Sequence, residues 1–191
     1  RTLLTSPELL LMDEPLASLD LDSKAEILPY LERLHDELSI PILYVSHAPE
    51  EVVRLADHMV LLQRGRVLAQ GEVKDLLTDP ALPLAKLDEA SAVITGSVHS
   101  HDREFHLTHL NVPGGKIMVS YRDLPVGHVA RIRILARDVS LALQPQQHTS
   151  ISNILPARVM DSFPAHDPAQ MLVRLDLGGT TILSRITRRS L

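Results

Sequence analysis

Four bulky apolar residues, Leu9-Leu10-Leu11-Met12, run straight into two carboxylates and a proline, Asp13-Glu14-Pro15. No other stretch restricts the fold so tightly. A short unbroken apolar run reads as a strand buried on both faces, as in a parallel sheet. Two charges at its carboxyl end are costly unless they meet water, a metal or a ligand. That end is also where open α/β sheets bind ligands.

The flanking residues extend this pattern. Residues 1–6 read as the end of a helix, stopped by Ser6-Pro7. After strand 9–13, Asp20 or Asp22 can cap a helix whose apolar positions Ile27, Leu28, Leu31, Leu34 and Leu38 share one face. Pro29 removes a donor inside it, which predicts a kink or a restart. Ile42-Leu43-Tyr44-Val45 is a second buried strand, ending in Ser46 and His47. Pro49-Glu50-Glu51 opens a short helix with Val52, Val53 and Ala56 inward. Residues 59–62 and 66–69 pair across Arg64-Gly65 as a hairpin, and a last helix starts near Gly71 and ends near Pro80. Strands alternating with helices mean an α/β layer.

From about residue 86 the period changes. Candidate strands are 92–99, 104–111, 116–120 and 128–135, with Pro113-Gly114-Gly115 as a turn. A weak repeat follows: strand, polar loop, strand, glycine pair, strand, first from Val98 to Ser120 and again from Val159 to Ser184. Gly114-Gly115 and Gly178-Gly179 stand at the same point of each copy. Two small five-stranded barrels of the oligonucleotide/oligosaccharide-binding (OB) type would account for this, the second cut short. His99, His101, His106 and His109 read as residues of a half-exposed barrel face rather than as metal ligands. Arg185, Arg188 and Arg189 read as a solvated strand end.

Composition closes off other classes. There is no cysteine, so no disulfide framework and no thiolate metal site. The net charge of −5 and 3% aromatic content argue against a nucleic-acid partner. No apolar run approaches the roughly 20 residues of a membrane span. The chain opens on Arg1 shortly before a central strand and stops at Leu191 without completing an element. It is expected to be a piece of a longer polypeptide.

The apolar run with Asp13-Glu14-Pro15 resembles the Walker B motif of the ATP-binding-cassette (ABC) ATPases, and Ser18-Leu19-Asp20 resembles their D-loop. Residues 44–51, around His47, resemble the switch-histidine region, with Ala48 where most members carry Asp. Residues 55–61 and 65–71 continue the likeness in order. Residues 149–159, 173–179 and 185–190 resemble the regulatory (TOBE, molybdopterin-binding-like) domain of molybdate-importer ATPases, and residues 136–143 match the end of its first copy. Neither the glycine-rich phosphate loop G-x-x-x-x-G-K-[ST] nor the Ser-Gly-Gly signature occurs in this sequence.

The resemblance implies an α/β P-loop NTPase, its C-terminal part over residues 1–88, followed by an all-β OB-like/TOBE domain over 89–191. The first repeat would span about 92–145 and the second, incomplete, would start near 150. Asp13 would hold Mg²⁺, Glu14 would polarise the water that attacks ATP, and His47 would sense the γ-phosphate. Ser18 and Asp20 would lie at the interface with a second copy of the subunit. Ser150, Ser152 and Asn153 are oxyanion candidates, with molybdate as a regulatory ligand, although Ser152 stands where small molybdate-binding relatives carry Arg. The implied partners are a second copy, a membrane permease and, indirectly, a periplasmic-type substrate-binding protein. The implied place is the cytoplasmic face of the inner membrane. The chain alone, lacking the phosphate loop, is expected to be inactive. The alternatives are a non-catalytic oxyanion-binding or dimerisation module, and an ATPase subunit for sulfate, iron, polyamine or sugar import.

Overall fold

The computed structural model describes residues 7–37 and 40–191. The helix end expected over residues 1–6, and Leu38 with Ser39, lie outside them. Contacts divide the chain into two compact units, residues 1–59 and 60–191.

In the first unit, strands β1 (Leu10–Asp13) and β2 (Ile42–Val45) pair in parallel, Leu10 opposite Ile42 and Asp13 opposite Val45. Helices α1 (Leu21–Glu37) and α2 (Pro49–Leu55) complete it. The two-residue period puts Leu10, Met12, Ile42 and Tyr44 on one face and Leu11, Leu43 and Val45 on the other. The first face is covered. Tyr44 packs beside Leu16, Leu28 and Leu55, with Leu19, Ile27 and Leu31 around them. On the second, Leu11, Leu43 and Val45 are exposed. The strand expected to be buried on both faces is therefore buried on one, because the described helices pack only on the Tyr44 side.

Two more expectations need correction here. Of the two outcomes expected at Pro29, a kink or a restart, the restart does not occur: helix α1 runs unbroken across it. One missing backbone donor does not outweigh the packing of Ile27, Leu28 and Leu31. In α2 the buried residues are Glu51, Val53 and Leu55, not Val52 and Ala56. A glutamate thus lies inside.

The second unit begins within β3 (His58–Gln63), which pairs with β4 (Arg66–Glu72) across Arg64-Gly65. Helix α3 (Val73–Thr78) buries Val73, Leu76, Leu77 and Thr78 and packs on β5 (Ser91–Asp102) and β11 (Thr181–Thr187). The remaining strands are β6 (Leu107–Val112), β7 (Gly115–Ser120), β8 (Val129–Leu135), β9 (Arg158–Pro164) and β10 (Gln170–Asp176). They form two antiparallel sheets, ordered β7-β6-β5-β8 and β11-β10-β9. Strand β5 serves β8 over its first half, Ser91 to Ser97, and β6 over its second, with a bulge between Val98 and Ser100. The strand expected from residue 104 starts instead at Leu107. Asp102 Oδ1 accepts the backbone N–H groups of Glu104 and Phe105, both at 3.0 Å, and bends the chain there.

One apolar core joins the two sheets: Ala92, Ile94, Val98, Leu110 and Ile117 from the first, Val173, Leu175, Leu177 and Ile182 from the second and its turn. Glycines allow close approach at two places, one within the first sheet and one between the turns of the two sheets. Gly96 in β5 leaves room for no methyl group, since a Cβ there would lie 2.9 Å from both Ile132 and Val112. Gly114 and Gly178, at φ +81° and +70°, head the two glycine turns, and these turns lie against one another. A Cβ on Gly178 would stand 3.6 Å from the Gly114 nitrogen. The glycine pairs that mark the repeat in sequence thus meet in space.

Arg185 corrects the reading of a solvated basic group. Its side chain is only 9% exposed. It donates to Asp88 Oδ1 at 2.9 Å, to Gln170 Oε1 at 3.2 Å and to the Leu87 carbonyl, tying β11 to the segment ahead of β5. Arg188 and Arg189 are exposed. His101 is also held: its Nδ1 lies 3.1 Å from Thr108 Oγ1 and its Nε2 lies 2.8 Å from the Leu124 carbonyl. Among the described residues no group of three or more His, Asp or Glu side chains is placed to hold a metal.

Candidate active site

At the carboxyl ends of β1 and β2 the backbone pairing continues one residue further. Glu14 N–H donates to the Val45 carbonyl at 2.9 Å. Glu14 then adopts a left-handed backbone conformation, φ +46°, rare for a residue with a side chain and favoured where a sharp turn re-aims it. The chain closes into turns, Ala17 N–H to Glu14 and Leu19 N–H to Leu16. Asp20 ends this loop. Its Oδ1 accepts Ser23 N–H at 2.8 Å and its carbonyl accepts Lys24 N–H, so it caps α1. The Ser23 backbone bond holds the Asp20 carboxyl below the usual range. Ser18 is exposed in the same loop.

The turn delivers Glu14 to His47. Glu14 Oε2 lies 2.7 Å from His47 Nδ1, with 40% and 76% of the side chains exposed. An ionised carboxylate only accepts, so Nδ1 carries the proton and Nε2 is left for another partner. Two residues 33 positions apart in sequence thus meet through parallel pairing of the strands that precede them. Asp13, at the end of β1, is exposed.

Sequence reasoning missed the residue beneath this site. Glu51, on the first turn of α2, has a side chain 2% exposed. It accepts from Lys24 Nζ at 2.8 Å, from Tyr44 Oη at 2.9 Å and from Ser46 Oγ at 2.7 Å. Burial pushes its carboxyl up, but the bonds from Lys24, Ser46 and Tyr44 outweigh that and hold it below the usual value. Burial, then the bond to Glu51, pushes the Tyr44 phenol well up. The Lys24 ammonium is raised by its bond to Glu51. The signal for Glu51 was a lysine on the preceding helix, invisible until the fold brought it near.

The oxyanion candidates lie elsewhere, in the second unit. Ser150 and Ser152 are exposed. The Asn153 amide is engaged: it accepts Met118 N–H at 2.7 Å and donates to the Met118 carbonyl at 2.8 Å. It pairs with edge strand β7 as another strand would.

With this geometry in view, the chain can be set beside known proteins. No family model matches it. Along its whole length it is 58% identical to the molybdenum import ATP-binding protein ModC of Hahella chejuensis. It is 56% identical to molybdenum import ATP-binding protein ModC 1 of Azotobacter vinelandii and 54% identical to the ModC of Bordetella pertussis, again over the whole chain. This chain belongs to the family those proteins form. It spans about half the length of each of them, 53%, 53% and 52%. Among the described residues no helix is long and apolar enough to cross a membrane.

Proposed function

We propose that this chain is the C-terminal half of the ATP-hydrolysing subunit of an ABC importer for molybdate. The observation that carries the reading is the 2.7 Å contact between Glu14 and His47 at the carboxyl ends of two parallel strands. The names of its relatives support the ATP-binding role and the molybdenum cargo over sulfate, iron, polyamine or sugar.

The residues divide the chemistry as follows. Glu14 accepts a proton from, and so polarises, the water that attacks the terminal phosphate of ATP. His47 fixes the Glu14 carboxylate through Nδ1 and leaves Nε2 to meet the γ-phosphate. The left-handed turn at Glu14 aims the carboxylate before substrate arrives, so little ordering remains to be done. Asp13 and its hard carboxylate oxygens fit Mg²⁺. When bound, that ion neutralises charge on the phosphates. Ser18 and Asp20 sit in the loop that would face a second copy of the subunit, with Asp20 rigidly held as the cap of α1. The phosphate-binding loop belongs to residues that this chain does not contain, so the chain alone is proposed to be inactive.

Residues 89–191 are proposed as a TOBE-type regulatory domain made of two small OB-like barrels. The divided pairing of β5 and the meeting of Gly114 and Gly178 support that finer reading. If molybdate binds at the segment 150–153, Ser150 and Ser152 supply the donors, since Met118 occupies the Asn153 amide. The complete subunit would work as a homodimer on the cytoplasmic face of the inner membrane. There it would dock on a permease fed by a substrate-binding protein.

The test is Glu14→Gln in the complete subunit. Size and polarity are kept, so ATP should still bind, while turnover should fall by about 10²-fold or more. Near-normal steady-state hydrolysis would remove Glu14 from the reaction.

A further inference from the structure

We propose that Glu51 is a positioning residue for His47, joining the histidine loop to helix α1. This rests on the catalytic reading above. Among the described residues, the side chain is one of the few buried polar groups. A buried carboxylate persists only if its oxygens are satisfied, and these are met by three donors from three places. Lys24 comes from the first turns of α1, Tyr44 from β2, and Ser46 from the residue directly before His47. Ser46 uses its hydroxyl twice. It donates to Glu51 and accepts Ala48 N–H at 3.1 Å. The residues on either side of His47 are therefore pinned by one hydroxyl, and that hydroxyl is oriented by Glu51. His47 itself is largely exposed, and the contact on its ring is Glu14 at Nδ1. Its position is set from below.

The same carboxylate reaches the other loop of the site. Lys24 lies one turn into the helix that Asp20 caps. A shift of the Ser18–Asp20 loop that moved α1 would pull on Lys24, Glu51 and Ser46 in turn. Both bonds to Glu51 at its ends, at 2.8 and 2.7 Å, are charge-assisted, since the acceptor is a carboxylate.

The test uses the complete subunit. Glu51→Gln keeps the shape but replaces one acceptor oxygen by an amide donor, which cannot receive both Lys24 and Ser46. The expected result is a fall in kcat of about 10- to 100-fold with the KM for ATP little changed, because the reacting groups are misplaced rather than removed. Ser46→Ala, which leaves the Lys24 pair intact, should give a smaller fall of the same kind. Placed on His47→Ala, Glu51→Gln should add nothing, since its effect acts through the ring. An unchanged kcat in folded Glu51→Gln, or a full additional loss on the His47→Ala background, overturns the proposal. If His47→Ala and Glu14→Gln both keep activity, the catalytic reading itself has failed. If they lose it and Glu51→Gln does not, only this inference has.

Discussion

Replacing Asn153 by alanine removes two hydrogen bonds at once, the bond accepted from Met118 N–H at 2.7 Å and the bond donated to the Met118 carbonyl at 2.8 Å. Each is worth about 0.5–1.5 kcal/mol net. The side chain is exposed, so water can replace part of what is lost, and the lower half of that range applies. The cost should be about 1–2 kcal/mol. With a urea slope of about 1–3 kcal/mol per molar, the unfolding midpoint should drop by roughly 0.3–2 M. Asn153→Asp sharpens the test. It can still accept from Met118 N–H, but at neutral pH it sets a carboxylate against the Met118 carbonyl with no proton between them. It should cost at least as much as alanine, and the deficit should shrink on acidification as the carboxyl protonates. Urea melts of the three proteins at pH 7 decide the matter. Midpoints within 0.1 M of one another, allowing roughly for extrapolation error, would refute a clamping role. Loss of oxyanion binding without loss of stability would make Asn153 a ligand residue instead.

Gly96→Val should destabilise the second unit by about 1–3 kcal/mol or more, because the new side chain enters space held by Ile132, Val112 and the Asn111 carbonyl. A thermal melt unchanged from that of the parent would contradict the packing described. Acid should weaken the fold in a particular window. Glu51 and Asp161 both titrate below their ordinary values of 4.5 and 3.8, Glu51 because its three donors outweigh burial and Asp161 because of its bond to Arg174. Their contribution is therefore complete above those ordinary values and is lost as pH falls through the lowered ones. Melts from pH 7 to pH 2 should show this loss, with a smaller slope in Glu51→Gln. An identical profile in that variant would mean that the carboxylate carries no folding linkage.

The sequence displayed what depends on neighbours along the chain. Alternation in residues 91–135, the glycine pairs and the apolar run ahead of Asp13 located strands and turns to within a few residues, because period and turn chemistry are local. What it hid depends on distant partners. Pro49-Glu50-Glu51 reads as a solvated helix start, and only Lys24, 27 positions earlier, makes a buried Glu51 tolerable. Three arginines near the end read as surface charge, yet Arg185 finds Asp88, 97 positions away, together with the Leu87 carbonyl. Asn153 is a candidate ligand only through the family resemblance of its segment. Its engagement with Met118 follows from where an edge strand lies, which no motif records. The approach of Glu14 to His47 lies between these cases. The motifs named both residues, and parallel pairing of β1 with β2 supplied the distance.

Helix α3 is six residues long, too short to hold its shape in isolation. It nonetheless seats Val73, Leu76 and Leu77 against β5 and β11. Its conformation is thus lent by the sheets, and part of their apolar cover is lent by it. Gene fusions inherit this debt. A second half grafted from one relative onto another and opening at β5 would arrive with bare apolar strands, a surface prone to clumping. Chimaeras that carry the graft from upstream of Val73 keep helix and sheets in the pairing under which they were selected together.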